Sequence, residues 1–423
     1  MRVLVSAYAC EPGKGSEPGC GWNWVQQIAR SHEAWVITRA NNREPIDEML
    51  AKAPMPRVHW VYFDLPRWAR FWKKGRRGIH LYYYLWQIGA YFVGRRLHQA
   101  VDFDVVHHVT LGTYWMPSFL ALLPIPFIWG PVGGGESAPR SFWFTYSFRG
   151  KTYEVFRDLA RAWVRFDPFV RLTAKRSARG LATSAETAKR MKALGCRRIL
   201  VPSKIALSTS EIHRLGNLPH RQNNSFRLLS IGNLLHLKAF NLGLAAFAEF
   251  RQQYPTSEYW LIGDGPERNR LEKLARKLGV AESVTFWGSI SRSAVLEKLS
   301  ECDALLHPAL HESGGWVCLE AMAVGLPVVC LDLGGLALQV TDATGIKIPA
   351  LSPAQAVSDL AAALIRLAED PALRARMGEA ARRRVAESFP WDNRGDLMRR
   401  IYNEVKDTKT AKLKGLSAHV GRI

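Results

Sequence analysis

Two glutamates with seven residues between them stand in the stretch H-E-S-G-G-W-V-C-L-E-A-M-A, His311 to Ala323. Gly314 and Gly315 break the chain, and from Trp316 onward helix formers resume. That spacing predicts Glu312 in a loop and Glu320 on the second turn of a helix. The helix start between them exposes N–H donors without intrahelical partners and the positive end of the peptide dipole. Such an arrangement suits a diphosphate, with a carboxylate on either side to accept hydrogen bonds from sugar hydroxyls. The plain structural alternative makes Glu312 a cap and Glu320 a surface residue. Zinc protease chemistry is excluded, because His311-Glu312 would need a second histidine where Gly315 stands.

Two glycine-rich stretches have chemical potential of a weaker kind. G-K-G-S-E-P-G-C-G-W, Gly13 to Trp22, follows the first apolar run, with a helix pattern beginning near Trp22. A glycine turn opening a helix lets backbone N–H groups approach a phosphate. The stretch lacks G-x-G-x-x-G spacing, and no P-loop occurs in the chain, which argues against standard dinucleotide or nucleotide triphosphate binding. G-P-V-G-G-G-E, Gly130 to Glu136, holds three consecutive glycines. Their entropy cost points equally to a substrate-facing and to a purely conformational role for Gly133, Gly134 and Gly135.

The elements that must position these residues alternate along the chain. Strand-like runs occur at Val3–Ala7, Ala34–Thr38, Val58–Phe63, Asp104–Val109 and Phe127–Trp129, with helix-length polar stretches between them. The cadence restarts at Leu228–Ile231 and continues through Tyr259–Ile262, Val284–Trp287, Ala304–His307 and Pro327–Leu331. Alternating strands and helices imply parallel sheets built from βαβ units. A polar stretch without apolar periodicity, Gly216 to Ser225, is the linker candidate. The expectation is two doubly wound domains, whose ligands sit beyond the carboxyl ends of the strands.

Composition narrows the class. The 423 residues are 48% apolar and 22% charged, which excludes disorder over most of the length. Six cysteines without a C-x-x-C pair indicate neither a disulfide framework nor a cysteine zinc site, and a reducing cytoplasm fits. The opening run M-R-V-L-V-S-A-Y-A-C reads as a first strand rather than a signal segment, since acidic Glu11 follows at once. Leu81 to Val93 is too short for a spanning helix. The net charge of +21 is concentrated: residues 51–100 hold 10 cations and 1 carboxylate, and residues 151–200 hold 13 and 4. Residues 301–350 run the other way, with 1 cation and 6 carboxylates. A basic field in the first half favours anionic partners.

At the Glu312–Glu320 motif the sequence resembles the retaining family 4 glycosyltransferases of GT-B fold, whose signature is a Glu-x₇-Glu element opening a helix. The resemblance extends through S-I-G-N-L-L-H-L-K (Ser230 to Lys238), W-L-I-G-D-G-P-E (Trp260 to Glu267), V-T-F-W-G (Val284 to Gly288), E-C-D-A-L-L-H-P (Glu301 to Pro308), G-L-P-V-V (Gly325 to Val329) and Gly334-Gly335. In the first half it rests on the loop near Gly19 and on D-V-V-H-H, Asp104 to His108. It implies two Rossmann-like domains facing a central cleft: an acceptor-side domain over residues 1–212 and a nucleotide-sugar domain over 213–390. F-P-W (Phe389 to Trp391) would open a helix over 391–415 that crosses back to the first domain, and 406–423 would form a basic, disordered tail.

Carried over by position, Lys238 binds the donor diphosphate with Asn233, Gly315 and the backbone of Trp316 and Val317. Glu312 holds hydroxyls of the transferred sugar, Glu320 the ribose, and Gly19 lets the first domain approach the phosphates. Catalytic roles fall to Glu312, Lys238 and His108. Asn233 stands where the family commonly has arginine, and Ala239 where it has glycine. The family's first-domain histidine meets a His107-His108 pair, of which only one can face the cleft because adjacent strand residues point opposite ways. His108 is preferred, with His107 and Gly133–Gly135 placed on the acceptor side. Asp102 and Asp104 precede a strand rather than follow one, so no metal is expected, and no cofactor beyond the nucleotide-sugar substrate.

The activity so implied is transfer of a hexose from a UDP- or GDP-sugar to a glycan or lipid-linked acceptor in cell-surface polysaccharide synthesis. A sugar-nucleotide epimerase of the same fold is the alternative enzyme. R-W-A-R-F-W-K-K-G-R-R (Arg67 to Arg77) and Y-Y-Y-L-W (Tyr82 to Trp86) mix cations with aromatics in the manner of an anionic membrane face, which predicts a peripheral position on the inner side of the plasma membrane. A nucleic-acid-binding protein with a degenerate site uses the same ingredients. No nucleic-acid motif accompanies them, so no nucleic acid is expected.

Overall fold

The computed structural model describes residues 1–73, 75, 78–219 and 225–420, so Lys74, Arg76 and Arg77 of the basic aromatic run and His220–Asn224 of the linker candidate lie outside the described residues. The chain divides into two compact units. The first comprises Met1–Gly135, Ala160–Lys204 and Trp391–Ile423, and the second comprises Glu136–Leu159 and Ile205–Pro390. The segment Glu136–Leu159 thus groups with the second unit.

The first unit carries a seven-stranded parallel sheet: β1 (Arg2–Ala7), β2 (Glu33–Thr38), β3 (Val58–Tyr62), β4 (Val105–Thr110), β5 (Phe127–Val132), β6 (Ser177–Ala182) and β7 (Ile199–Leu200). Its order is β3-β2-β1-β4-β5-β6-β7, the chain reversing direction of build at β1. The central strands β4 and β5 are buried along their whole length, as parallel strands covered by helices on both faces must be. The second unit has six parallel strands: β8 (Arg227–Ile231), β9 (Glu258–Ile262), β10 (Val284–Gly288), β11 (Ala304–His307), β12 (Val328–Leu331) and β13 (Gly345–Ile348). Their order is β10-β9-β8-β11-β12-β13. Two apolar layers flank that sheet, one with Phe240, Phe247 and Leu364, the other with Leu319, Met322 and Leu326.

Three observations correct the sequence reading. The first helix starts at Ser16, six residues before Trp22, because Glu17 and Pro18 are good first-turn residues and the glycines after them are tolerated once tertiary packing covers them. Gly19 consequently lies in that helix and not in a loop. Tyr82, Tyr83 and Trp86 are fully buried and pack on Tyr8 in the first unit's core, so Y-Y-Y-L-W does not form a membrane face. The last helix runs from Trp391 to Val420, through the stretch expected to be a disordered tail. It belongs to the first unit, where Trp391 meets the edge of Trp24 and Tyr402 reaches β4.

Candidate functional site

In the second unit the site is built from the ends of β8 and β11. After β8 the chain passes Gly232 and exposed Asn233 into a short turn, His236–Lys238. Ala239 then adopts φ 50°, ψ 36° and opens the helix Phe240–Arg251. That is the left-handed conformation a glycine takes without steric cost, so alanine at this position keeps the local path of the chain. The turn aims Lys238 at the loop after β11, where its Nζ forms an ion pair with Glu312.

Glu312 is held on several sides. Its Oε1 accepts from the backbone N–H of Gly314 at 3.3 Å, and Oε2 lies 3.4 Å from His307 Nε2 at the end of β11. Its backbone carbonyl accepts from Gly335 N–H at 2.8 Å. Burial alone would raise the Glu312 carboxyl, but Lys238 and His307 outweigh it and hold the group well below the ordinary carboxylate range. Burial lowers the His307 imidazole in turn, leaving it neutral near pH 7. At neutral pH Glu312 is therefore a carboxylate paired with Lys238, and His307 is a neutral ring.

Glycine is required where this loop turns and where its neighbour crosses it. Gly315 has φ 76° and forms the N-cap of the helix Trp316–Val324, with no side chain capping that end. A Cβ on Gly334 would stand 2.3 Å from the Glu312 carbonyl oxygen, so the turn after β12 fits only without a side chain. Gln339 donates from its side-chain amide to the Gly314 carbonyl, and Trp316 Nε1 donates to the Ala206 carbonyl at 2.9 Å. The helix start is thus braced from behind through carbonyl groups.

Glu320 lies on the second turn, as its spacing predicts, but it is buried and ion-paired with Arg292 Nη1 at 2.7 Å. Burial pushes its carboxyl up, and Arg292 offsets part of that shift. Arg292 also reaches Glu211 at 2.9 Å. The Cys318 thiol, on the first turn of the same helix, is buried and pushed up by desolvation. His236 points elsewhere: its Nε2 is 3.1 Å from Glu154 Oε1, and its ring meets Tyr146 and Tyr153. Sequence reasoning did not find Arg292 or Gln339, because each reaches the loop through tertiary packing with no motif of its own.

The first unit holds the remaining candidates. His107 is fully buried; Nε2 donates to the Gly130 carbonyl at 2.6 Å, and Nδ1 therefore accepts from the Tyr402 hydroxyl at 2.7 Å. Burial lowers this ring to about 4, and it is a satisfied core histidine. His108 faces the other side of β4, where Nε2 meets the Tyr83 hydroxyl at 3.1 Å. Its buried Nδ1 has no hydrogen-bond partner among the described residues, and burial lowers the ring to about 3. The glycine run is engaged by its own unit. Gly133 N–H donates to the Gly112 carbonyl, Gly134 packs on the Trp115 ring, and Gly135 N–H donates to Thr187 Oγ1. Where the first helix comes closest to the chain after β1, the glycine that permits it is Gly21, whose added Cβ would meet the Ala9 carbonyl at 2.1 Å. Among the described residues, no three of His, Cys, Asp and Glu group as a metal-ligand set.

Residues 219–384 match the family described as glycosyl transferases group 1. The chain is 32% identical over 180 residues to glycogen synthase of Mycobacterium tuberculosis, and 38% identical over 184 residues to D-inositol 3-phosphate glycosyltransferase of Streptomyces avermitilis. The first match covers 42% of this chain and 42% of the relative, and the second 41% and 39%, so the chain spans less than half the length of the curated relatives it matches. Among solved structures, sucrose-phosphate synthase from Thermosynechococcus elongatus covers 96% of this chain and 99% of its own, with TM-score 0.64 at 18% identity. Anabaena Alr3699/HepE in complex with UDP-glucose covers 97% and 100%, with TM-score 0.58 at 17% identity. At those identities the structural likeness establishes the fold alone.

Proposed function

We propose that the chain, whose residues 219–384 match the glycosyl transferases group 1 family, is a retaining, metal-independent glycosyltransferase using a nucleotide-sugar donor. One observation carries the reading. A helix without a side-chain cap begins at Gly315, with the Lys238–Glu312 pair at its leading loop and Glu320 on its second turn. A diphosphate set there takes hydrogen bonds from the N–H groups of Trp316 and Val317 and draws the Lys238 ammonium from Glu312. Glu312, freed towards the donor, accepts hydroxyl hydrogen bonds from the sugar, and Glu320 accepts from the ribose. Asn233, in the turn after β8, contributes hydrogen bonding and no charge, and Gly315 opens the helix after β11.

In the reaction the bond from the anomeric carbon to the diphosphate breaks, an acceptor oxygen forms the new bond on the same face, and its proton leaves with the diphosphate. Negative charge grows on the departing nucleoside diphosphate. Preorganised donors aimed at such charge contribute roughly 10²–10³ in rate each. On the first unit His108 is the proposed catalytic residue, supported by its orphaned Nδ1, with the acceptor-side run Gly133–Gly135 following the neighbouring strand β5. Gly19, at the start of the first helix, is the proposed point of approach to the phosphates. A UDP-sugar is the first donor to try, given the UDP-glucose held by the Anabaena protein of the same fold. The acceptor proposed is a glycan or a lipid-linked glycan met at an anionic membrane surface. The test is transfer or donor hydrolysis by the purified full chain in EDTA: turnover supports the reading, and a strict requirement for a divalent cation contradicts it.

A further inference from the structure

The helix Phe148–Trp163 is inside out. On an ordinary surface helix the apolar stripe faces the core and the charged face meets water. Here Phe148, Val155, Phe156, Leu159 and Trp163 follow one another at i, i+7, i+8, i+11 and i+15, a single stripe at helical spacing. All five are exposed: Phe148 by 82%, Val155 by 46%, Phe156 by 71%, Leu159 by 55% and Trp163 by 75%. Phe144, just before the helix, is 85% exposed.

The opposite face is the buried one, and it carries the charges. Glu154 and Arg157 pair with each other, and Glu154 also meets His236 Nε2 at 3.1 Å. Arg161, 4% exposed, donates to the Gly134 carbonyl. These bonds fix the rotation of the helix about its axis, so the apolar stripe cannot turn inward without breaking ion pairs that are already desolvated. A contiguous exposed apolar stripe held outward in this way marks a contact surface rather than a scatter of single residues.

Charge decides what covers it. Residues 140–165 hold six cations and two carboxylates, and Arg140, Arg149 and Arg165 are exposed. A second copy of the chain meeting this face across a two-fold axis would bring like charges together. An anionic lipid surface would neutralise them while Phe and Trp settle at headgroup depth. We infer that the helix Phe148–Trp163, with Phe144 before it, lies in the plane of an anionic bilayer, its apolar stripe inserted and Arg140 and Arg149 at the phosphates. This deepens the membrane part of the proposed function and moves it away from Tyr82–Trp86, which the core absorbs.

The test is flotation of the full chain with vesicles of phosphatidylcholine containing about 30% phosphatidylglycerol, against vesicles of phosphatidylcholine alone. The wild type is expected to float with the anionic vesicles and to be released by salt, and Phe148→Ser/Phe156→Ser to lose binding by about tenfold or more. Both positions are exposed, so that variant keeps its circular dichroism spectrum and its donor hydrolysis in free solution. Absence of flotation, or flotation undiminished in the double variant, overturns the inference, as does a concentration-dependent dimer that the double variant abolishes without any vesicle binding. Donor hydrolysis reports the Lys238–Glu312 pocket and flotation reports the helix, so either reading can fail while the other stands.

Discussion

The two units have the same kind of sheet, but the ionisable groups put forward as functional are held differently in each. In the second unit Lys238 is paired with Glu312 and Arg292 with Glu320, beside a helix start. In the first unit His107 and His108, in the middle of the central strand β4, are buried and held neutral by desolvation. Paired charges can be redirected to a ligand at small cost, because each partner keeps a counter-charge in reach. Buried neutral rings cannot acquire charge without loss of stability. The donor chemistry is accordingly expected from the second unit, with the first supplying shape and hydrogen bonds.

The largest effect should come from breaking the charged side of that contrast. Lys238→Ala removes the cation proposed to meet the growing diphosphate charge and leaves Glu312 without its partner; donor turnover should fall by roughly 10²–10³, measured as nucleotide release in EDTA. Retention of wild-type turnover would erase the distinction between the units. On the neutral side, His107→Ala deletes hydrogen bonds to Tyr402 and Gly130 and opens a cavity, costing about 3 kcal/mol in denaturant unfolding. Affinity of the folded variant for nucleotide diphosphate should be unchanged.

Acidification sharpens the same comparison. A histidine whose folded value is depressed favours the neutral form, so the unfolded chain binds the extra proton. Its stabilising contribution is complete above the unfolded value of 6.5 and is lost as pH falls towards the folded value of about 4 for His107 and about 3 for His108. At pH 5 each should have cost about 2 kcal/mol. Glu312, also depressed, keeps its contribution above its unfolded value of 4.5 and loses it as pH falls from there, so its pair survives at pH 5. Tryptophan fluorescence and hydrogen exchange at pH 5 should show protection falling around β4 before the loop at Glu312. Simultaneous loss would contradict the contrast. A smaller effect is expected from Glu320→Gln, which keeps shape but removes charge opposite Arg292 and weakens nucleotide diphosphate binding by about tenfold.

The parts that were legible in the sequence share a local cause. Ten strands showed themselves as apolar runs, and the Glu312–Glu320 spacing implied a helix start because glycine pairs and helix formers act over a few residues. β6, β7 and β13 escaped: S-A-R-G-L-A has weak strand character, I-L is two residues long, and G-I-K-I is as short as a turn. Which face of an element is buried was harder still. Tyr82, Tyr83 and Trp86 look like Phe148, Phe156 and Trp163 in composition, yet the first set is core and the second is exposed, because the difference lies in what packs against the opposite face. Arg292 and Gln339 carried no signal for the same reason.

Titration calorimetry of UDP and GDP against the full chain in EDTA, for the wild type and for Lys238→Ala, tests the central claim most directly. The account predicts binding of at least one of the two without metal and a loss of at least about tenfold on removing the lysine ammonium. Equal affinity in both proteins, or binding that appears only when a divalent cation is added, would contradict a donor site made of Lys238, Glu312 and the helix that begins at Gly315.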